Sequence, residues 1–155
     1  MTLYLVRHAH AGTRAGWAGA DDFERPLSDK GQSQARHFAD EVSGRPIKKL
    51  WSSPAVRCVQ TLEPLASVLD LAVRANPTLT EGADADEAIA FLLAHARHDA
   101  AFCSHGDLIP KMIRRLTAAG MRTSDPNVST KGSWWELEVD DDRIVAGRYL
   151  DHGTG

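Results

Sequence analysis

The alternation of short apolar segments with amphipathic segments up to residue 119 is the feature that most constrains the fold of this chain. Short apolar runs are typical of buried strands, and apolar residues three and four positions apart are typical of helices. The apolar runs predict strands at residues 2–7, 47–51, 71–74 (an edge strand) and 100–103. Strands that alternate with helices form parallel sheets, because each crossover returns the chain to the same edge.

Helices are predicted in the segments between these strands. Apolar side chains share one helical face within residues 35–42, 56–62, 88–93 and 109–116. Ser52 to Pro54 predicts the cap and first turn of the second helix, because serine caps helices and proline suits the first turn. Pro64 predicts a kink or a break within the same helix, because proline has no N–H to donate.

A hairpin is predicted at the end of the chain. Residues 133–139 and 143–150 flank three consecutive aspartates, which is a turn signal. Trp134 and Trp135 alternate across the first of these strands, which predicts one core side chain and one partly exposed side chain. The predicted fold class is therefore α/β, a three-layer α/β/α sandwich with a mostly parallel central sheet and a C-terminal hairpin.

The composition is that of an ordinary globular domain. The 155 residues are 43% apolar and 25% charged, which fits a single domain over residues 1–155. The net charge of −3 argues against a general nucleic-acid or membrane surface, so any anion site is local. No apolar run is long enough to cross a bilayer, and no secretion signal is expected at the start. Cys58 and Cys103 have apolar neighbours, which favours buried thiols and a cytoplasmic location.

Two of the predicted strands end in residues that suit an anion site. Arg7 and His8 follow the first strand, and His105 follows the strand at residues 100–103. Burying an unpaired cation is costly, so these side chains are expected at the strand ends, where open α/β sheets bind ligands. An arginine beside a titratable imidazole suits phosphate. Asp107 is the expected cap of the helix that follows, whose first N–H groups would face the anion.

Other charged residues have ordinary structural explanations when each is taken alone. Arg57 lies early in the second helix, where a solvated arginine is common, and Glu81 lies in a loop, where most glutamates are exposed. Taken alone, Arg7 and His8 would better fit an arginine in a surface ion pair and a histidine bonded to a backbone carbonyl. The functional interpretation therefore depends on these residues occurring together.

Four ordered motifs resemble the histidine phosphatase superfamily, also called the phosphoglycerate mutase-like family. They are Arg7-His8-Ala9, the segment from Pro26 to Ala35, the segment from Ser52 to Thr61, and Ser104-His105-Gly106. Within the family the chain resembles the short phosphohistidine phosphatases of the SixA type. It is also similar to the phosphatase domain that follows a Nudix domain in some actinobacterial nucleotide-sanitising proteins. That second likeness is carried by residues 7–12, 17–19 and 25–27.

The resemblance implies a phosphatase that acts through a phosphohistidine intermediate on His8 and needs no metal or other cofactor. Arg7 and Arg57 would hold the phosphoryl oxygens, and a cationic His105 would donate a further hydrogen bond. Glu81 would protonate the leaving oxygen and then activate water. The neutral His8 ring would donate from its other nitrogen to a backbone carbonyl, which fixes the tautomer.

Three residues of the loop at positions 10–30 are assigned to substrate contacts. His10 is expected at the rim of the pocket, and a metal shared by His8 and His10 is disfavoured because no third ligand is suitably spaced. Arg14 lies where many relatives place a phosphate-contacting asparagine, with a solvated arginine as the alternative. Trp17 would stack on a base or a protein surface, with packing under the loop as the alternative.

The expected partners are a phosphorylated protein or a small phosphorylated metabolite, with no nucleic-acid polymer and no membrane. The segment after Gly82 has room for one helix and no lid, so a shallow, open pocket is predicted. Such a pocket suits the phosphohistidine of a protein, which is the preferred substrate. A nucleotide or other small-molecule phosphomonoesterase or diphosphatase is one alternative. An inactive module that binds phospho-groups or a protein is another, and the oligomeric state is open.

Overall fold

The predicted alternation of strands and helices is present in the structure, a computed structural model that describes residues 1–19, 21–124 and 128–152. The strands are β1 (Thr2–Arg7), β2 (Ile47–Ser52), β3 (Val73–Ala75), β4 (Asp99–Ser104), β5 (Trp134–Asp140) and β6 (Arg143–Leu150). The helices are α1 (Asp29–Val42), α2 (Val56–Leu69), α3 (Ala85–Ala94) and α4 (Leu108–Ala118). Single turns of 3₁₀ helix occupy Asp22–Glu24 and Pro77–Leu79 within the two predicted loops.

The strands form one sheet in the order β3-β2-β4-β1-β5-β6. The pairs among β3, β2, β4 and β1 are parallel, whereas β5 pairs antiparallel with both β1 and β6. The mostly parallel sheet and the C-terminal hairpin are thus confirmed. Strands β1 and β4 are neighbours, and Arg7 lies opposite Ser104 in their register. Residues that follow these two strands therefore emerge side by side at one edge of the sheet.

Both faces of the sheet are buried against helices. On one face Leu5, Phe102 and Trp135 pack in a cluster with residues of α3 and α4. On the other face Tyr4 and Trp134 pack in a second cluster with residues of α1 and α2. Trp134 and Trp135 are 2% and 1% exposed, so the prediction of one partly exposed tryptophan is wrong. Alternation along β5 directs the two rings to opposite faces, and each face has its own core.

Three local predictions, for the start of α2, for Pro64 within α2 and for the start of α4, need correction. The first helical residue of α2 is Val56, with no side-chain cap, and the hydroxyl of Ser53 lies 2.8 Å from Nε2 of His105 instead. Helix α2 continues through Pro64, so the predicted break is absent. Asp107 occupies the cap position of α4 without bonding to that helix. Its Oδ2 accepts a hydrogen bond of 2.8 Å from the N–H of Gly82.

Cys58 and Cys103 are free, buried thiols, as predicted. They lie on α2 and β4, in the same core cluster. Among the helices in the described part of the chain, none combines the length and the apolar character needed to cross a membrane.

Candidate active site

His8 lies directly after β1, where the backbone fixes both its position and its ring. Its N–H donates to the carbonyl of Ser104 at 3.0 Å, which extends the pairing with β4 by one residue. Its Nδ1 lies 2.9 Å from the carbonyl oxygen of Ala9. A carbonyl only accepts, so Nδ1 carries the proton and Nε2 keeps its lone pair. The expected backbone contact of the ring is therefore present.

The surroundings of His8 keep its ring neutral at physiological pH. The pKa of His8 is lowered to about 3, chiefly by burial and in addition by the charges of His105, Arg57 and Arg7. The hydrogen bond that the ring donates to the carbonyl of Ala9 acts in the opposite direction. The imidazole is only 7% exposed, so little water is available to stabilise its charged form. A neutral ring with a free nitrogen lone pair can act as a nucleophile.

Arg7 is positioned by the loop before β5 and by the glycine after His105. Its Nη1 donates to the carbonyl of Ser129 at 2.5 Å, and its buried Nε has no hydrogen-bond partner among the described residues. The guanidinium lies against Gly106, where a Cβ would stand 2.5 Å from Cζ and 2.6 Å from Nε. Glycine is therefore required at this position for Arg7 to reach its observed place.

Arg57 approaches the same space from the start of α2. Its Nη1 donates to the carbonyl of Asp22 at 2.9 Å, and its Nη2 lies 3.6 Å from Oε2 of Glu81. The side chain is 3% exposed, and its buried Nε has no partner among the described residues. A buried donor without a partner costs about 1–3 kcal/mol, so a ligand that accepted from it would be favoured.

His105 completes a set of nitrogen donors around His8. Its Nε2 lies 2.8 Å from the hydroxyl of Ser53 and 3.5 Å from the thiol of Cys58. Its Nδ1 is buried and has no partner within the described residues. The rings of His8 and His105 have centroids 5.4 Å apart and meet edge to face. Both rings line a cavity of about 330 Å³ together with Arg7 and Arg57.

Glu81 and Arg14 lie at the exposed side of this cavity. The Nη2 of Arg14 is 3.2 Å from both carboxylate oxygens of Glu81, and its Nε is 3.2 Å from Oδ2 of Asp22. These contacts join the loops at residues 10–30 and 76–86. The side chains of Arg14 and Glu81 are 64% and 47% exposed. Ion pairs this exposed contribute little stability, so an anionic ligand could displace them at low cost.

The structure adds three charged residues that the sequence motifs did not assign to the site. Arg25, Asp107 and Lys131 line the cavity, although Asp107 had been considered only as a helix cap. Arg25 pairs with Asp22 at 2.9 Å and donates to the carbonyl of Ala11 at 2.7 Å. A signal for Arg25 existed, because it lies in the segment 25–27 that resembles actinobacterial relatives. Lys131 lies in an aperiodic segment and had no such signal.

His10 and Trp17 lie outside this cavity, and their contacts with substrate stay predictions. The Nδ1 of His10 is 2.7 Å from the hydroxyl of Ser28, and the residue lines two neighbouring cavities. The indole N–H of Trp17 donates to the carbonyl of Asp21 at 3.0 Å. Trp17 lines a depression that shares Arg25 with the catalytic cavity.

Over residues 1–19, 21–124 and 128–152, no group of three or more histidine, cysteine or acidic side chains is arranged to hold a metal ion. The arrangement around His8 instead suits a tetrahedral oxyanion. It offers one neutral imidazole as a nucleophile and two guanidinium groups and a second imidazole as donors.

The fold and this site define a phosphoryl-transfer domain of the α/β class, and comparison with known proteins identifies its family. The sequence profile of the histidine phosphatase superfamily (branch 1) matches residues 3–86. The chain belongs to this superfamily of phosphatases.

Individual relatives agree with that assignment. The chain is 34% identical over 154 residues to an 8-oxo-(d)GTP phosphatase of Mycolicibacterium smegmatis, a match that covers 96% of this chain and 48% of that protein. The chain thus spans about half the length of the curated relatives it matches.

Solved structures share the fold. The protein histidine phosphatase SixA, complexed with tungstate, is 24% identical with a TM-score of 0.78, and the match covers 97% of this chain and 94% of that one. A mycobacterial glucosyl-3-phosphoglycerate phosphatase complexed with VO3 is 17% identical with a TM-score of 0.69, and the match covers 96% of each chain.

Replacing Gly106 with alanine is expected to weaken phosphate binding without unfolding the protein. The new Cβ would push the Arg7 guanidinium from the cavity, and this flexible side chain can move at little cost. Loss of a charge-assisted contact predicts a dissociation constant for inorganic phosphate about tenfold higher or more, measured by calorimetry. Gly44→Ala is the matched control, because no atom lies within 4 Å of its added Cβ. Equal phosphate affinity in both variants would contradict the assignment of Arg7.

The His8 ring is expected to stay neutral as the pH falls from 8 to about 4, because burial lowers its pKa to about 3. The unfolded chain binds a proton on this histidine near pH 6.5, whereas the folded protein does not. The contribution of His8 to the free energy of unfolding therefore falls as the pH drops below about 6.5. Nitrogen NMR of the histidine-labelled protein should show, for His8, a protonated Nδ1 and an unprotonated Nε2 throughout this pH range. A His8 titration centred near pH 6.5 would refute the expectation.

Proposed function

We propose that this protein hydrolyses phosphate substrates in two steps, with Nε2 of His8 as the nucleophile. The observation that supports the proposal is the state of His8: neutral, with its proton held on Nδ1 by the carbonyl of Ala9. His8 lines a cavity together with Arg7, Arg57 and His105, and each of these three keeps a buried nitrogen atom that has no partner in the described part of the chain.

In the first step the Nε2 lone pair attacks phosphorus, and the bond to the leaving group breaks with its electron pair. Arg7, Arg57 and His105 donate to the non-bridging oxygens, whose charge rises in the transition state. In the second step water attacks phospho-His8, the P–N bond breaks, and inorganic phosphate leaves a neutral His8. Because these donors neutralise the phosphoryl charge, neither step needs a metal.

Glu81 is proposed to act as the general acid in the first step and as the general base in the second. Its carboxylate pairs with Arg14 at 3.2 Å and with Arg57 at 3.6 Å. A substrate phosphate that binds Arg57 would compete for that guanidinium and release Glu81. Once released from the arginines and protonated by solvent, the carboxyl group would donate this proton to the leaving oxygen. The resulting carboxylate would then accept a proton from the attacking water, which restores the acid form.

Nucleoside phosphates are the substrate class that the similarity to known proteins and the position of Trp17 support best. The 34% identity to the mycobacterial 8-oxo-(d)GTP phosphatase extends over 96% of this chain. The half-buried ring of Trp17 lines an apolar depression that shares Gly12, Thr13 and Arg25 with the catalytic cavity. An aromatic ring beside a phosphate site suits a nucleobase.

The phosphohistidine of a protein remains the second candidate. The rim formed by Arg14 and Glu81 is exposed, so a phosphorylated side chain on another protein could reach His8. A phosphoramidate has a good leaving group, which would make Glu81 less important for that substrate.

A labelled aryl phosphate is expected to give an acid-labile, base-stable phosphoenzyme, because a phosphorus–nitrogen bond on imidazole has that chemistry. His8→Ala should abolish the label and lower kcat at least about a thousandfold, as removal of a catalytic nucleophile does. His37→Ala, outside the cavity, should retain both, and a chelator should change neither. Wild-type turnover by His8→Ala would refute the mechanism.

A substrate panel separates the two candidates. Saturable release of phosphate from nucleoside di- or triphosphates is expected to exceed release from a phosphohistidine protein, both measured as kcat/KM. The same panel with Trp17→Ala should raise KM for the nucleotides and leave an aryl phosphate unaffected. Phosphate release from the phosphohistidine protein alone would overturn the nucleotide assignment and support the second candidate.

A further inference from the structure

A second polar cavity, also of about 330 Å³, adjoins the catalytic one. It is lined by His10, Lys30, Gln34, Thr130, Lys131, Asp151 and His152. Lys131 lines both this cavity and the one that holds His8. A single half-buried ammonium group therefore marks the boundary between the two. Nothing in the proposed phosphoryl transfer to His8 uses it.

The loop that carries Lys131 is attached to the strand end that carries the nucleophile. The N–H of Gly132 lies 3.2 Å from the carbonyl of Arg7 and 3.1 Å from the carbonyl of His8. The N–H of Arg7 donates to the carbonyl of Ser133 at 2.9 Å. Gly132 has a φ of +80°, a conformation that side-chain-bearing residues rarely adopt. The backbone at Lys131 is therefore held at a fixed place relative to His8.

The electrostatic surroundings of Lys131 are cationic. Burial lowers its pKa, and Arg7, Arg25 and Lys30 lower it further. Within the part of the chain that the structure describes, its ammonium group forms neither an ion pair nor a hydrogen bond. Asp151 contributes a carboxylate to the lining of the second cavity. Like charges that are brought together repel one another, and an anion placed between them would relieve that repulsion.

His10 lines the same cavity as these two lysines. Its Nδ1 is held by the hydroxyl of Ser28 at 2.7 Å. Burial lowers the pKa of His10, followed by the charges of Lys131, Lys30 and Arg25. The ring is thus a neutral donor or acceptor beside two ammonium groups, and the anion-binding charge of this cavity comes from the lysines.

We propose that Lys131, supported by Lys30 and His10, binds a second phosphate group of the substrate, next to the phosphoryl group that His8 receives. The inference rests on the proposed function and narrows it to substrates with a phosphoanhydride bond, such as a nucleoside diphosphate. Attack by Nε2 on the terminal phosphorus breaks the bridging P–O bond, and the inner phosphate leaves with the electron pair. Lys131 would stabilise the charge that develops on this leaving phosphate.

Calorimetric binding of inorganic pyrophosphate and inorganic phosphate tests this subsite without depending on turnover. The wild-type protein is expected to bind pyrophosphate more tightly. Lys131→Gln should raise the dissociation constant of pyrophosphate about tenfold or more, the loss expected for a charge-assisted contact. The constant for phosphate should rise by a much smaller factor. Lys30→Gln should act in the same direction to a lesser extent, and Lys131→Arg, which retains the charge, should keep the preference for pyrophosphate.

Lys48→Gln is the matched control, because it removes the same charge from an exposed position of β2. It should leave both constants unchanged. Equal affinities for the two anions in the wild-type protein, or an equal loss of both in Lys131→Gln, would overturn the subsite. Turnover of an aryl phosphate is measured in parallel. Tight pyrophosphate binding without turnover would refute the proposed catalysis alone, and turnover with equal affinities would refute the subsite alone.

Discussion

The parallel pairing of β1 with β4 is the constraint on which the site depends. Arg7 lies opposite Ser104 in this register, and the N–H of His8 donates to the carbonyl of Ser104 beyond the last strand residue. His8 and His105 are therefore neighbours because their strands are neighbours, whatever the loops do. Both strands lie inside the sheet with both faces covered, so neither ring has room to leave. The same burial that fixes His8 also keeps it neutral, so geometry and protonation state have one cause.

Placing nitrogen donors in so dry a position carries a free-energy cost. Arg7, Arg57 and His105 each keep a buried nitrogen without a partner among the described residues. Each such atom costs about 1–3 kcal/mol, which the two apolar core clusters must outweigh. A bound oxyanion that accepted a hydrogen bond from any of these atoms would lower that cost and so stabilise the fold. This is the usual compromise of an active site, in which donors are oriented before the charge they stabilise appears.

The sequence predicted those parts of the molecule that depend on local pattern or on strand order. The run before Arg7 has the length and apolarity of a buried strand, and the alternation of strands and helices favours parallel neighbours. The position of His8 and His105 at one edge of the sheet could therefore be predicted. Local rules failed where a long-range contact was stronger. Ser53 looks like a helix cap, but its hydroxyl bonds to His105, which is distant in sequence. Pro64 does not end α2, because packing of Leu62 and Leu65 in the core holds the helix together around it.

Lys131 and Arg25 show a different limit of sequence reasoning. Both lie in aperiodic segments, where no spacing predicts which way a side chain points. Arg25 is placed by the hydrogen bond that its own guanidinium donates to the carbonyl of Ala11, and Lys131 by the backbone bonds that join Gly132 to the carbonyls of Arg7 and His8. Such bonds depend on the whole fold being formed.

The loops are anchored to the sheet edge that carries His8, which separates the choice of substrate from the chemistry of the reaction. The groups proposed to transfer phosphate come from strand ends and from the start of α2, whereas the groups proposed to surround the leaving group come from two loops. Because each loop is bonded to the edge that carries His8, a change of side chain at Arg14, Trp17 or Lys131 alters what binds beside the phosphate without moving the nucleophile. Specificity can therefore vary independently of the reaction. This is the physical reason that the motifs identify the chemistry of the chain while its substrate depends on residues outside them.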